Sequence, residues 1–178
     1  MESIKQIFRI GNGPSSSHTM GPKRAAEMFL ARNREVDSFR VTLYGSLAAT
    51  GRGHMTDVAI NDTLTPVAPV EIVWQPKVFL PFHPNGMKFE AFNANDECID
   101  TWTVYSIGGG TLANEDFNEL KTSEVYDLHY IKDIQALCER DGLAYWEYVA
   151  QHENSEIWDY LNEVWKVMQD AILRGLEA

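Results

Sequence analysis

Proline placement constrains this chain more than any other feature. All seven prolines lie at or before residue 84, and five of them fall between residues 66 and 84. Proline fixes φ and removes an amide hydrogen, so it interrupts helices and central strands alike. Three zones follow: a folded front part, a proline-rich crossing, and a strand region that runs into uninterrupted helices. With 178 residues, 44% of them apolar, the front can bury a real core, and one domain plus a tail is expected.

Residues 3–10, "SIKQIFRI", predict a short helix with Ile4, Ile7, Phe8 and Ile10 as its apolar positions. Pro22 suits the first turn of a helix, with Thr19 to Gly21 as cap candidates and Ala25, Met28, Phe29 and the stem of Arg32 on the apolar face. "SFRVTLYG" alternates Phe39, Val41 and Leu43 and reads as a strand, and a second helix is expected over about 54–63. Further strands are expected at about 70–74, 87–93 and 101–107, the last two joined as a hairpin through "NAND". The order is helix, strand, helix and three strands. The expected fold class is α+β, a mostly antiparallel sheet with helices on one face, followed by a helical tail.

The boundary is placed at 1–114 and 115–178. The front carries 10 basic and 11 acidic side chains, the tail 5 and 15, so the tail holds nearly all of the net charge of -11. From Asn154, Ile157, Tyr160, Leu161, Val164, Trp165, Met168 and Ile172 keep helical spacing, with Asn154 or Ser155 as the cap and Gly175 as the stop. Shorter helices are expected at 131–140 and 143–151, and Trp146, Trp158 and Trp165 are read as core or interface packing. An acidic chain is unsuited to nucleic acid or anionic membranes. Cys98 and Cys138 form no disulfide or metal pattern and suit a reducing cytoplasm, so no metal is expected on this chain. No signal peptide opens the sequence, and no apolar run approaches membrane-spanning length.

Four stretches could carry chemistry. "GPSSSHTMGPKR" gathers Ser15, Ser16, Ser17 and Thr19 around His18 just before a helix, whose unpaired amides stabilise a carboxylate or phosphate; an ordinary capped loop is the alternative. It is not a Walker loop, because Pro22 stands where the lysine belongs. In "YGSLAATGRGHMTD" the glycines allow a tight path before a helix. His54 at that helix start would be held neutral and could act as a base, with Asp57 orienting the ring or capping the helix. A loop histidine taken alone is more often a surface residue than a catalyst. In "FHPNGM", His83 is forced extended by Pro84, and Asn85 and Gly86 read as a turn. "YSIGGGT" permits a close backbone approach, or is simply a flexible strand exit.

Together, "GPSSSHTMGPKRAA", "YGSLAATGRGHMTD", "HPNGM" and "YSIGGG", in that order, resemble the β domain of iron–sulfur-dependent L-serine dehydratases (L-serine ammonia-lyases). The resemblance implies a lyase of amino-acid degradation and gluconeogenesis that converts L-serine to pyruvate and ammonia. It implies a [4Fe–4S] cluster bound by three cysteines of a separate catalytic (α) domain, with one iron left open as a Lewis acid. By motif, His54 is the implied base and His18 lines the same pocket. Ser15, Ser16, Ser17 and Thr19 would hold the substrate carboxylate or order the interface, with Asp57, His83, Asn85 and Gly86 in support. The implied partners are that catalytic domain or subunit and L-serine, in a cytoplasmic homo-oligomer.

This chain carries no cluster-binding cysteine set. It is therefore expected to be inactive alone and to represent an N-terminal fragment or a separate β subunit, with its helical tail leading toward the catalytic domain. The competing expectation is a regulatory module for a small anion or amino acid, similar to the allosteric substrate-binding domain of some phosphoglycerate dehydrogenases. A third is a structural dimerisation domain built on the aromatic tail and "GGG".

Overall fold

The alternation in "SFRVTLY" becomes the inner strand of a five-stranded sheet in the computed structural model, which describes residues 1–115 and 124–177. Strand β1 (Ser38–Tyr44) buries Phe39, Val41 and Leu43. It pairs parallel with β2 (Val70–Gln75) and antiparallel with β3 (Gly86–Phe92). Strand β4 (Cys98–Gly108) pairs antiparallel with β3, and the short β5 (Thr111–Ala113) with β4. The order is β2-β1-β3-β4-β5. The lone parallel pair is the one whose connection contains helices, as a parallel crossover requires.

Helices α1 (Gly21–Arg32), α2 (Gly45–Thr50) and α3 (Thr56–Leu64) belong to the same unit, Gly11–Lys121. α1 and α3 pack on each other, and Ala25, Ala26, Phe29, Ile60 and Leu64 join Phe39, Val41, Leu43, Met87, Phe89, Ala91 and Val104 in one buried cluster. Outside that core the strands carry charge: Arg40 pairs with Glu71, and Lys88 with Glu90. The expected α+β class, mostly antiparallel, is what forms. The "NAND" hairpin joins β3 to β4, with Asn93 Oδ1 accepting from the amides of Asn95 and Glu97.

Several local expectations change. Residues 3–10 yield only a 3₁₀ turn at Ile4–Gln6, and Ile7, Phe8 and Ile10 are exposed, because so short a segment does not repay helix nucleation. Thr19 and Met20 lie inside a helical turn and Gly21 begins α1, so the cap is Ser15 instead. Met28 is exposed, and Ala26 takes the buried position. The helix expected over 54–63 starts at Thr56, and His54 sits in the turn before it. α2 and β5 are additional to the expected order.

A second unit combines Met1–Ile10 with Thr122–Ala178. It contains α4 (Ile131–Asp141), α5 (Tyr145–His152) and α6 (Ile157–Glu177). Tyr126, Ile134, Cys138 and Tyr148 form its small core. Glu153 ties the segments together: its carboxylate accepts from Ser3 Oγ at 2.8 Å, the Ile4 amide at 3.0 Å and Tyr126 Oη at 2.7 Å. α6 runs through Gly175 rather than stopping there, since one helical glycine costs only about 1 kcal/mol. Trp146, Trp158 and Trp165 are exposed, not core. No helix among the described residues is long and apolar enough to cross a membrane.

Candidate functional site

The serine stretch folds on itself before α1 begins. Ser15 is extended, and its hydroxyl accepts from the His18 amide at 3.1 Å. Its carbonyl accepts from both Thr19 and Met20, at 3.0 and 3.1 Å, which widens Ser16–Met20 into a π turn that runs directly into α1. Wide turns of this kind recur at functional sites because they swing side chains out of helical register. The amides of Ser16 and Ser17 precede the first hydrogen-bonded amide of the turn, Ser16 is exposed, and Ser17 is half-buried. Thr19 is buried and turned inward.

The second motif bends around Gly45. Its φ is +49°, and a Cβ there would stand 2.6 Å from the Pro84 carbonyl, so only glycine fits. The Ser46 amide donates to that same carbonyl at 2.9 Å, which fixes the start of α2. Ser46 Oγ then lies 3.2 Å from His18 Nε2, while Ser17 Oγ lies 2.9 Å from His18 Nδ1. Both nitrogens of His18 are thereby occupied.

His54 is held differently. Its Nδ1 lies 3.0 Å from the Thr50 carbonyl. A carbonyl only accepts, so Nδ1 carries the proton, and in the neutral ring Nε2 keeps its lone pair. The group that orients the ring is thus the Thr50 carbonyl; Asp57 lies in the first turn of α3. The rings of His18 and His54 are 4.9 Å apart between centroids. Burial lowers the pKa of His18 below its usual 6.5, the nearby charge of His54 lowers it further, and hydrogen bonding to the Ser46 backbone offsets part of the effect.

The remaining motifs act from behind. His83 Nδ1 accepts from the Asn85 amide at 3.1 Å, and burial lowers its pKa. Buried Asn85 donates from Nδ2 to the Ser106 carbonyl at 3.2 Å. Gly86 packs close to Leu80, whose Cδ1 would lie 2.7 Å from an added Cβ, so a side chain there requires the leucine to shift. Gly108, Gly109 and Gly110 all have positive φ, and Arg24 donates to the Gly110 carbonyl at 3.2 Å. The structure therefore brings His18, His54, Ser15 and Ser17 together. The His83–Asn85 segment contributes through the Pro84 carbonyl on Ser46.

Sequence reasoning missed Ser46, Thr50 and Thr56. Ser46 lies inside a motif already singled out, directly after a glycine, and that was the available signal. Among the described residues no group of three or more His, Cys, Asp or Glu side chains is placed to hold a metal ion.

A family model described as serine dehydratase beta chain matches residues 3–72 and 63–117. The L-serine dehydratase TdcG of Escherichia coli is 33% identical, over 99% of this chain and 49% of that protein. An L-serine dehydratase of Streptomyces coelicolor is 31% identical, over 98% of this chain and 50% of that protein. One from Mycobacterium bovis is 36% identical, over 64% of this chain and 33% of that protein. The chain thus spans about half the length of the first of these relatives. With a family model covering most of the unit that carries the paired histidines, the chain belongs to the serine dehydratase beta chain family.

Proposed function

We propose that this chain supplies the substrate-side wall of an L-serine dehydratase site, and that the remaining half of the enzyme supplies its electrophile. One observation carries the reading: the Nδ1–H of His54 is committed to the Thr50 carbonyl, which leaves Nε2 as an open lone pair beside His18. A neutral imidazole so oriented is a general base near neutral pH. His54 takes the Cα proton of L-serine. The electron pair of that C–H bond becomes the Cα–Cβ double bond, and the β-hydroxyl leaves as hydroxide, which the proton now on His54 converts to water, returning the imidazole to its neutral form. The aminoacrylate tautomerises to an imine, and a water molecule hydrolyses it to pyruvate and ammonia.

Ser16 and Ser17, with the amides at the start of the π turn, receive the substrate carboxylate, while Ser15 shapes that turn through its own cap. His18 lines the pocket as a second, neutral imidazole. His83, Asn85 and Gly86 support Ser46 from behind, and Asp57 adds a negative charge to the first turn of α3.

The [4Fe–4S] cluster of the reading does not fit this chain. Cys98 is exposed on β4 and Cys138 is buried on α4, each in a different unit. The cluster belongs to the catalytic (α) half, which is the partner of this surface in a cytoplasmic homo-oligomer serving amino-acid degradation and gluconeogenesis. The free thiols suit that reducing compartment.

A second reading has its own observation. A cavity of about 100 Å³ is lined by Lys23 and Asp62, opposite in charge, together with Asn12, Thr19 and Met55. Its size and charges suit a small anion or amino acid acting as a regulator.

The test is to assay pyruvate from L-serine with the chain alone, reconstituted anaerobically with iron and sulfide, and with the chain joined to an iron–sulfur catalytic half. The expected result is turnover only in the joined form. His54→Gln should lower it on the order of 10²- to 10⁴-fold. Turnover by the chain alone, or full activity of the variant, sinks the reading. Full activity with a lost response to an added amino acid favours the regulatory one.

A further inference from the structure

Two threonines cross between the two histidine segments. Thr19 directly follows His18, and its hydroxyl donates to the carbonyl of His54 at 2.6 Å. Thr56 stands two residues after His54, and its hydroxyl donates to the carbonyl of His18. Each threonine lies within two residues of one histidine along the chain and is hydrogen-bonded to the backbone of the other. Both are buried, Thr19 with 3% exposure and Thr56 with none.

The direction of these bonds is fixed, because a carbonyl only accepts. The Thr19 oxygen also accepts from the Ser15 amide at 3.2 Å, which couples the cap of the π turn to the same arrangement. The donor hydrogen of each hydroxyl is spent on a carbonyl. Buried, satisfied hydroxyls of this kind define geometry, since the alternatives leave a carbonyl or a hydroxyl unpaired away from water.

We propose that Thr19 and Thr56 are positioning residues that set the separation and tilt of the His18 and His54 rings, acting on catalysis through the histidines and not through the substrate. The catalytic part of this inference rests on the dehydratase reading above; the geometric part does not. It also moves Thr19 from the carboxylate-binding group to the supporting frame.

The charged and titratable groups on the elements packed around the His18 turn are Lys23, Arg24, Glu27 and Arg32 on α1, Asp57 and Asp62 on α3, and Cys98, Asp100 and Tyr105 on β4, with His54 itself the one whose charge acts on His18. A change in the clamp should therefore register in the titration of His18 through its burial and its distance from His54. Histidine resonances of the full chain are followed by NMR across pH in wild type, Thr19→Val, Thr56→Val, Thr19→Ser and Thr56→Ser. Valine keeps the shape and removes the hydroxyl; serine keeps the hydroxyl. The expected result is an upward shift of the His18 titration in both valine variants and a near wild-type titration in both serine variants. In the assembled enzyme the valine variants should lose kcat roughly ten- to a hundredfold with KM nearly unchanged.

An unchanged His18 titration in the folded valine variants overturns the proposal, as do serine variants that behave like valine. If a valine variant does not fold, the wild-type chain decides: deuterium exchange of the threonine hydroxyls should shift the carbonyl carbons of His18 and His54. Absence of that isotope shift also overturns it. Lack of L-serine turnover by the assembled wild-type enzyme is a separate outcome, which sinks the dehydratase reading and leaves the titration result standing.

Discussion

The imidazole rings of His18 and His54 stand 4.9 Å apart with their planes tilted by 42°. Two cations at that distance repel, and burial disfavours charge on His18 as well. The folded chain therefore binds fewer protons at His18 than the unfolded chain just below pH 6.5. Its contribution to stability is complete above the unfolded value and is lost as pH falls through the lowered folded value. Burial shifts His83 in the same direction and adds to the trend. Melts of the wild-type chain should weaken as pH drops below about 6.5, and His18→Gln should flatten that slope. Equal slopes in the two proteins would contradict the assignment.

Ser46→Ala tests the other side of His18. The Ser46 hydroxyl lies 3.2 Å from His18 Nε2, whereas the hydrogen bond that raises the His18 pKa comes from the Ser46 backbone, which alanine retains. Removing the hydroxyl should therefore change the ring's NMR chemical shifts while its titration stays below the usual 6.5. A return to the usual value would mean that the ring has escaped to solvent.

Gly45→Ala should be costly for its size. The residue has φ +49°, and its missing Cβ would lie 2.6 Å from the Pro84 carbonyl. Strain at such positions is of order 1–3 kcal/mol, read as a lower denaturation midpoint in urea. The same variant should disturb His18, because Ser46 follows directly.

In the helical unit, Glu153→Ala removes the acceptor of Ser3, Ile4 and Tyr126. Hydrogen bonds to a charged group of this kind are worth about 1.5–3 kcal/mol each in favourable cases, so a loss on the order of 2 kcal/mol in chemical denaturation is expected. Burial and then the bond to Glu153 push the Tyr126 phenol well above its usual 10.0. That raised value contributes stability present below pH 10 and lost as pH rises through the folded value. In the alanine variant Tyr126 should ionise at lower pH in an ultraviolet titration, although burial still holds it above the ordinary range.

The sheet was legible because Phe39, Val41 and Leu43 alternate without interruption, and β2, β3 and β4 carry comparable runs. The two histidine motifs were legible for their composition. Their meeting was not, since it depends on a π turn at Ser16–Met20 and on Met55 taking the left-handed conformation, φ 57°, that lets α3 restart after His54. Nothing in the type of residue announces a methionine in that region. The threonines were legible as polar residues, but which carbonyl each would reach depends on the packing of α1 against α3. Gly175 misled because a stop signal and a tolerated helical glycine look alike in one sequence. For the tryptophans, apolar spacing did not separate core from interface packing, and their exposure removes only the first.

The bonds from Ser3 and Ile4 to Glu153 join segments about 150 positions apart, with the whole sheet encoded between them. During synthesis residues 1–10 emerge before Thr122–Ala178, the remainder of their own unit. At typical elongation rates the ribosome needs on the order of ten seconds to deliver the segment bearing Glu153. The sheet, contiguous in the chain, can be complete by then, so residues 1–10 find their place only after it.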